Sequence, residues 1–383
     1  MPRLVISTVG TSILTNQINM RSESDWSDLL EERANDKELD GEDILEAIEE
    51  LTCRAKKKLY SDPEQKIIND DIDEIRRTCA ELNGIYGLYG EQLNQGNQDI
   101  HWLITTDTAQ GQVSAELIRD FLIENHLVVD ILTPKDLSTV STESFTNGID
   151  ELLRWFDEII PGYRDSGYYI CFNLVGGFKA LQGYTNTIGM FYANEIIYIF
   201  EGSNEIITIP RLPIKVDSSV IKPVQFALMA AGEWVNLSEL HDVPETLIFK
   251  VDNTATLTTW GRLIWNRSKV DLMSGELLQF PRLKYESSFK RDYENTKEEN
   301  ERVKLQETLA KVSHLLIKHN GDTAPLKSDG GLQYDVYIKE DSKQIDGLAH
   351  FRVTKALRVS CVTSGNVLIL RHYGQNLHSP RNA

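Results

Sequence analysis

Residues 4–14, LVISTVGTSIL, decide how the chain reads. Aliphatic and β-branched residues run unbroken to Val9 and stop at Gly10-Thr11-Ser12, which predicts a strand closed by a small polar turn. An apolar run without alternation is what a strand buried on both faces needs. Working outward, the same texture recurs at residues 101–105 (HWLIT), 128–132 (VVDIL) and 168–175 (YYICFNLV). Helical periods at 112–124, 144–159 and 178–192 follow these strands in turn. A strand pair at 195–200 and 205–209 brackets Gly202-Ser203-Asn204, and Pro210 to Pro213 closes the unit. Alternating strands and helices predict an α/β domain over 1–212 with a largely parallel sheet. After the first strand, Leu45, Ile48, Leu51, Leu59, Ile68, Ile72 and Ile75 recur at helical steps. They predict a helical insertion over about 20–95.

Ligands of such sheets settle beyond the carboxyl ends of the strands. Three of those ends carry small polar residues: Gly10, Thr11 and Ser12; Thr106, Asp107 and Thr108; and Asn173 with Gly176 and Gly177. Glycine turns opening onto helices aim backbone N–H groups at anions, and Lys179 falls in the first turn of the last helix. Neither GxxxxGK[ST] nor GxGxxG is present, so nucleoside triphosphate and dinucleotide binding lack their usual motifs.

The 383 residues carry a formal charge of −18, unevenly spread. From Pro281 onward there are 17 Lys and Arg against 13 Asp and Glu; before it there are 23 against 45. No acid follows Asp346. An acidic protein with one basic face binds a polyanion at that face only. The four cysteines lie far apart without CxxC spacing, so no zinc ribbon or disulfide framework is expected, and a reducing cytoplasm is. No apolar run reaches the ~20 residues of a membrane span, and no metal site is expected.

Residues 213–279 change texture, with a helix at 224–231, a helix start at Asn236, and Arg262, Arg267 and Lys269 close together. The stretch reads equally as a small winged helix-turn-helix or as a helical spacer. From 280 to 383 a strand and two charged helices lead to three short strands: QYDVYIKE, GLAHFRVTKALRVSCVT and NVLILRHYG. This is an α+β pattern with a closing hairpin at Ser364-Gly365-Asn366. Arg352 and Arg358 are six apart, so one unbroken strand puts both on one face with His350. Arg371, His372 and Tyr373 end the last strand, and His378 follows.

Two resemblances rest on these residues. VGTSIL, ITTDTAQGQVSAE and FNLVGGFKALQGY resemble the CARF domain, the Rossmann-like sensor of type III CRISPR systems. The resemblance implies a homodimer that binds cyclic oligoadenylate, cyclic tetra-adenylate first among the rings. Gly10, Thr11, Ser12, Asn173, Gly176, Gly177 and Lys179 match directly; Thr106, Asp107 and Thr108 match less closely. Some CARF domains cleave their ligand, which would involve Ser12 and Lys179 here. The second resemblance, carried by the charged helical hairpin, GLAHFRVTKALRV and LILRHYG, is to RelE-type mRNA interferases. It implies cleavage of mRNA in the ribosomal A site without a cofactor, the ring acting as allosteric activator. Arg358 and Arg371 would hold the scissile phosphate with Arg352 supporting. His372 or His378 would move protons, with His350 as runner-up base.

Together they imply a CRISPR-associated mRNA interferase with a winged helix-turn-helix between sensor and nuclease. Two alternatives stand beside it: a CARF ring nuclease, or a CARF-controlled DNA-binding regulator whose C-terminal domain is inactive.

Overall fold

The computed structural model describes residues 1–200, 203–337, 347–375 and 377. The chain forms two compact units, Met1–Ile214 and Lys215–Ala383. His378 and Arg381 fall outside the described residues, as does Gly202.

In the first unit β1 (Arg3–Thr8) leads into the short helix α1 (Ser12–Thr15), then α2 (Ser24–Glu32) and α3 (Glu42–Leu59). The helical period that fits α3 breaks at Tyr60. There a hairpin forms, β2 (Tyr60–Asp62) with β3 (Ile67–Ile68), so Ile68 sits in a strand and not in the expected helix. Leu45 is exposed on α3. Two further helices, α4 (Ile72–Thr78) and α5 (Ala80–Leu88), complete the insertion. The alternating part follows: β4 (Ile100–Ile104), α6 (Ala109–Glu124), β5 (Val128–Leu132), α7 (Thr142–Asp165), β6 (Tyr169–Asn173), α8 (Lys179–Tyr192), β7 (Glu195–Ile199) and β8 (Ile206–Pro210).

The sheet order is β5-β4-β1-β6-β7-β8, parallel throughout except for the β7–β8 pair. From β1 the chain builds outward to β4 and β5, then returns to place β6 on the other side of β1. The order therefore reverses between β1 and β6, and it is at such a switch point, beyond the carboxyl ends, that sheets of this kind form their ligand crevice. Leu4, Val5, Ile6, Ile170, Cys171 and Phe172 are fully buried, as two-faced strands require.

The second unit starts with α9 (Pro223–Ala230), whose first residue is the proline that suits a helix start. A small antiparallel sheet of β9 (Val235–Asn236), β10 (Ile248–Val251) and β11 (Thr254–Leu257) packs with α10 (Thr259–Met273). Only 3-10 turns, Leu237–Glu239 and Glu245–Leu247, lie between β9 and β10. Next come β12 (Leu283–Tyr285), α11 (Ser287–Asn295), α12 (Glu299–Lys318), α13 (Ala324–Ser328), β13 (Asp335–Val336), β14 (Leu348–Arg352), β15 (Arg358–Ser364) and β16 (Val367–Gly374). Their sheet order is β12-β16-β15-β14-β13, with β12 parallel to β16 and the other pairs antiparallel. One apolar core runs through this unit, from Phe226 and Trp265 to Phe280, Leu309, Phe351 and Tyr373.

GLAHFRVTKALRVSCVT is not one strand. Val353 N–H and Thr354 N–H both donate to Leu357 O, and the segment folds back as the β14–β15 hairpin. Arg352 and Arg358 still share a face, but as directly opposed partners across the hairpin.

Candidate functional site

At the carboxyl end of β1 the chain passes so close to the β6–α8 turn that a Cβ on Gly10 would lie 3.2 Å from Gly177 Cα. Thr8 Oγ1 donates to Gly176 O at 2.5 Å, locking the two turns together. Gly177 holds φ +94°, a conformation open to glycine. The turn is braced from within: Gln182 Nε2 donates to Leu174 O at 3.2 Å and Gly176 O at 3.1 Å. Asn173, fully buried, donates from Nδ2 to Ser7 Oγ at 3.2 Å and to Glu81 O at 3.3 Å.

Glu81 was not among the expected site residues. It sits in the first turn of α5, fully buried, and its carboxylate accepts from Gly10 N–H at 2.8 Å and from the Ser12 hydroxyl at 3.0 Å. The donors at the end of β1 are thus already taken by a carboxyl group of the chain itself. Burial raises the Glu81 carboxyl above its ordinary value, while the Gly10 and Ser12 bonds pull the other way. Sequence alone carries no sign of this, because Glu81 is about seventy residues from its partners, inside the insertion.

The structure brings Gly10, Thr11, Ser12, Asn173, Gly176 and Gly177 to one crevice, and Lys179 is exposed at the start of α8. The third strand end is engaged differently. Asp107 Oδ2 accepts from Lys37 Nζ at 2.7 Å and Asp136 N at 3.1 Å, tying the turn to its neighbours. Thr106 and Thr108 share a hydroxyl bond of 2.8 Å, and Thr108 caps α6. Asp107, an acceptor held by a lysine, is a poor phosphate ligand.

The second cluster lies on the β13–β16 sheet. Ala349, Phe351, Val359, Cys361, Leu368 and Leu370 all point into the core and are fully buried. The alternate residues form two rows on the other face: Arg352–Arg358–Gly374 and His350–Ser360–His372. A bulge sets this arrangement. Ser360 pairs with His372 and Cys361 with Leu370, so Arg371 is an extra residue. Without it, His372 would fall in the core-facing register. With it, Leu370 and Tyr373 both face the core, and His372 joins the His350 row.

Two arginines directly opposed across a strand pair repel one another. Arg358 is largely buried, and its guanidinium is pushed below its ordinary value by burial first and by Arg352 second. Gly374 puts no side chain beside it. Arg371 Nε lies 3.8 Å from Glu286 Oε2, at the β12 side of the sheet. His350 stacks against Tyr337, with ring centroids 4.8 Å apart. His372 Nδ1 is 3.0 Å from Asp292 Oδ2, an acid that sequence reading missed. Arg352, Arg358, His350 and His372 therefore share one face, which can grip a phosphate and offer imidazoles to its neighbours.

The first unit is a doubly wound α/β sheet with a small-residue crevice at its switch point. Residues 76–212 match the model of a family described as CRISPR-associated protein (Cas_APE2256). The match links this segment to CRISPR-associated proteins; it contains Glu81, Asn173, Gly176, Gly177 and Lys179 and begins after the β1 turn. Among the described residues, no helix is long and apolar enough to cross a membrane.

Proposed function

We propose that the chain is a CRISPR defence effector in which cyclic oligoadenylate, read at the β1–β6 crevice, controls a metal-independent endoribonuclease built on the β13–β16 sheet. The ring is cyclic tetra-adenylate in this reading, bound across a homodimer, and the substrate is mRNA in the ribosomal A site. The observation that carries it is the pair of rows on one sheet face: Arg352 opposite Arg358, with His350 and His372 alongside. Paired guanidinium groups steady the extra negative charge of a five-coordinate phosphate, and imidazole moves protons near neutral pH. The CRISPR family match over 76–212 and the switch-point crevice support the sensing half.

Control requires the ring to bind the active arrangement more tightly than the resting one. Incubation with programmed ribosomes, with and without cyclic tetra-adenylate, tests the reading. Ring-stimulated cuts at the A-site codon are expected; cutting that ignores the ring, or none with ribosomes present, refutes it. One contact favours a second reading, ring cleavage: the Ser12 hydroxyl donates to the buried Glu81 carboxylate, which would polarise it. Loss of ring degradation in Ser12→Ala would establish that activity.

A further inference from the structure

We propose that Asp292 is the positioning residue for His372, fixing its ring so that Nδ1 carries the proton and Nε2 is presented to the RNA. The inference rests on the nuclease reading above and assigns a role within that site.

It begins at the edge of β16. Strand β12 covers this edge only from Leu368 to Leu370. Beyond it the helix α11 takes over the strand's polar groups. Glu286 N–H donates to Leu370 O at 2.9 Å, Ser288 Oγ donates to Arg371 O at 2.6 Å, and Asp292 Oδ2 accepts from Tyr373 N–H at 3.1 Å. The same oxygen lies 3.0 Å from His372 Nδ1. Phe289 and Tyr293 anchor α11 in the core, so Asp292 is carried on a fixed support.

A carboxylate only accepts, so the Nδ1 contact selects the tautomer with hydrogen on Nδ1. The Nε2 lone pair is then the ring's basic site, and Nε2 makes no hydrogen bond among the described residues. In the reaction Nε2 takes the ribose 2′-OH proton as the 2′-oxygen forms a bond to the adjacent phosphorus. The P–O5′ bond breaks, its electron pair leaves on O5′, and O5′ takes a proton from water. His372 later returns its proton to solvent, so the step balances without any further reactant. Asp292 stabilises the imidazolium formed in between. The other charged and titratable groups around His372 are Arg371 and Tyr373 on its own strand, Arg358 on β15, and His350 and Arg352 on β14. Glu301 of α12 accepts from the Tyr373 hydroxyl at 2.9 Å.

The test compares full-length wild type, Asp292→Asn, Asp292→Ala, His372→Ala and the Asp292→Ala/His372→Ala double variant. Cleavage is measured in single turnover on programmed ribosomes with cyclic tetra-adenylate. Asn keeps an acceptor for Tyr373 N–H and so controls for folding. Asp292→Ala is expected to lose about tenfold or more in rate, as when an orienting partner is removed, with half-saturation unchanged, and Asp292→Asn, which keeps the accepting oxygen, to recover part of that loss. The double variant should be no slower than His372→Ala, because Asp292 acts through His372. Nitrogen-15 histidine spectra should lose the Nδ1–H preference of His372 in Asp292→Ala and keep it in Asp292→Asn, whose amide oxygen can take both N–H groups. A wild-type rate or an unchanged His372 tautomer in Asp292→Ala, or additive losses in the double variant, overturn the positioning role while the nuclease reading stands. A wild type that cuts no RNA refutes that reading, and this inference with it.

Discussion

Glu81 and Gly176 make the sharpest test of the crevice. A Cβ added to Gly176 would lie 2.0 Å from Glu81 Oε1 and 2.3 Å from its carboxyl carbon. That oxygen cannot swing away freely, since it holds Gly10 N–H at 2.8 Å while its twin holds the Ser12 hydroxyl at 3.0 Å. Gly176→Ala therefore forces an overpacked contact worth about 1–3 kcal/mol. Displacing the carboxylate also takes the partner from the half-buried Gly10 N–H, for about 1 kcal/mol more. We expect a loss of about 3 kcal/mol. Glu81→Ala alone costs the same N–H partner but releases a desolvated carboxylate, so its loss is about 1–2 kcal/mol. In the Glu81→Ala background the three atoms nearest the added Cβ, all of the Glu81 side chain beyond its own Cβ, are gone, and the alanine at 176 adds less than ~0.5 kcal/mol. The cycle should return a coupling of about 2.5–3 kcal/mol. Native-state hydrogen exchange of the β1 and β6 amides reads it locally, whatever the rest of the chain does. A coupling below ~0.5 kcal/mol, the scatter of independent sites, would refute the account of the crevice.

Four further outcomes follow from named contacts. His101 is fully buried; its Nε2 meets the Tyr89 hydroxyl at 2.9 Å, its Nδ1 has no hydrogen-bond partner among the described residues, and burial holds its pKa down at about 3. A depressed histidine stabilises the fold above its unfolded value near 6.5, and that stability drains as pH falls toward 3. The loss reaches about 2 kcal/mol by pH 5, and acid unfolding of His101→Gln followed by circular dichroism should be shallower. Glu81→Gln should bind cyclic tetra-adenylate about fivefold or more tightly at pH 8 by calorimetry, with the gap narrowing in acid; weaker binding at every pH would show the carboxylate to be a ligand contact. The raised Glu81 carboxyl also costs stability as pH rises past 4.5, a slope that Glu81→Gln should remove. Arg358→Ala should cut ribosome-dependent cleavage by about a hundredfold or more, and Arg358→Lys should restore little of it, because a lysine lacks the planar fork.

The parallel sheet was legible because a strand buried on both faces must be apolar throughout. Strand β5 at Val128–Leu132 falls where the pattern puts it, and β4, β6 and β7 agree to within two residues at either end. Local pattern does not carry long-range partnership. Ile68 keeps a helical step from Ile72 but pairs with Tyr60 instead. Residues 353–357 contain neither Gly nor Pro, so nothing marks the turn that sets Arg352 against Arg358. The bulge at Arg371 is invisible in a chain read by parity, yet it decides which way His372 faces. Glu81 and Asp292 are ordinary acids on charged helices until the fold puts Gly10 and His372 beside them.

The continuous interior from Phe226 to Tyr373 has a mechanical consequence. No hinge of solvent separates the α9–α10 segment from the sheet that bears the arginines, so neither can swing alone without opening that interior. A signal arriving by way of Lys215 would have to turn or shift the whole block together. It would leave the spacing between Arg352 and Arg358 as it is, and in the proposed nuclease the control would then fall on RNA access and not on the pairing of these two arginines.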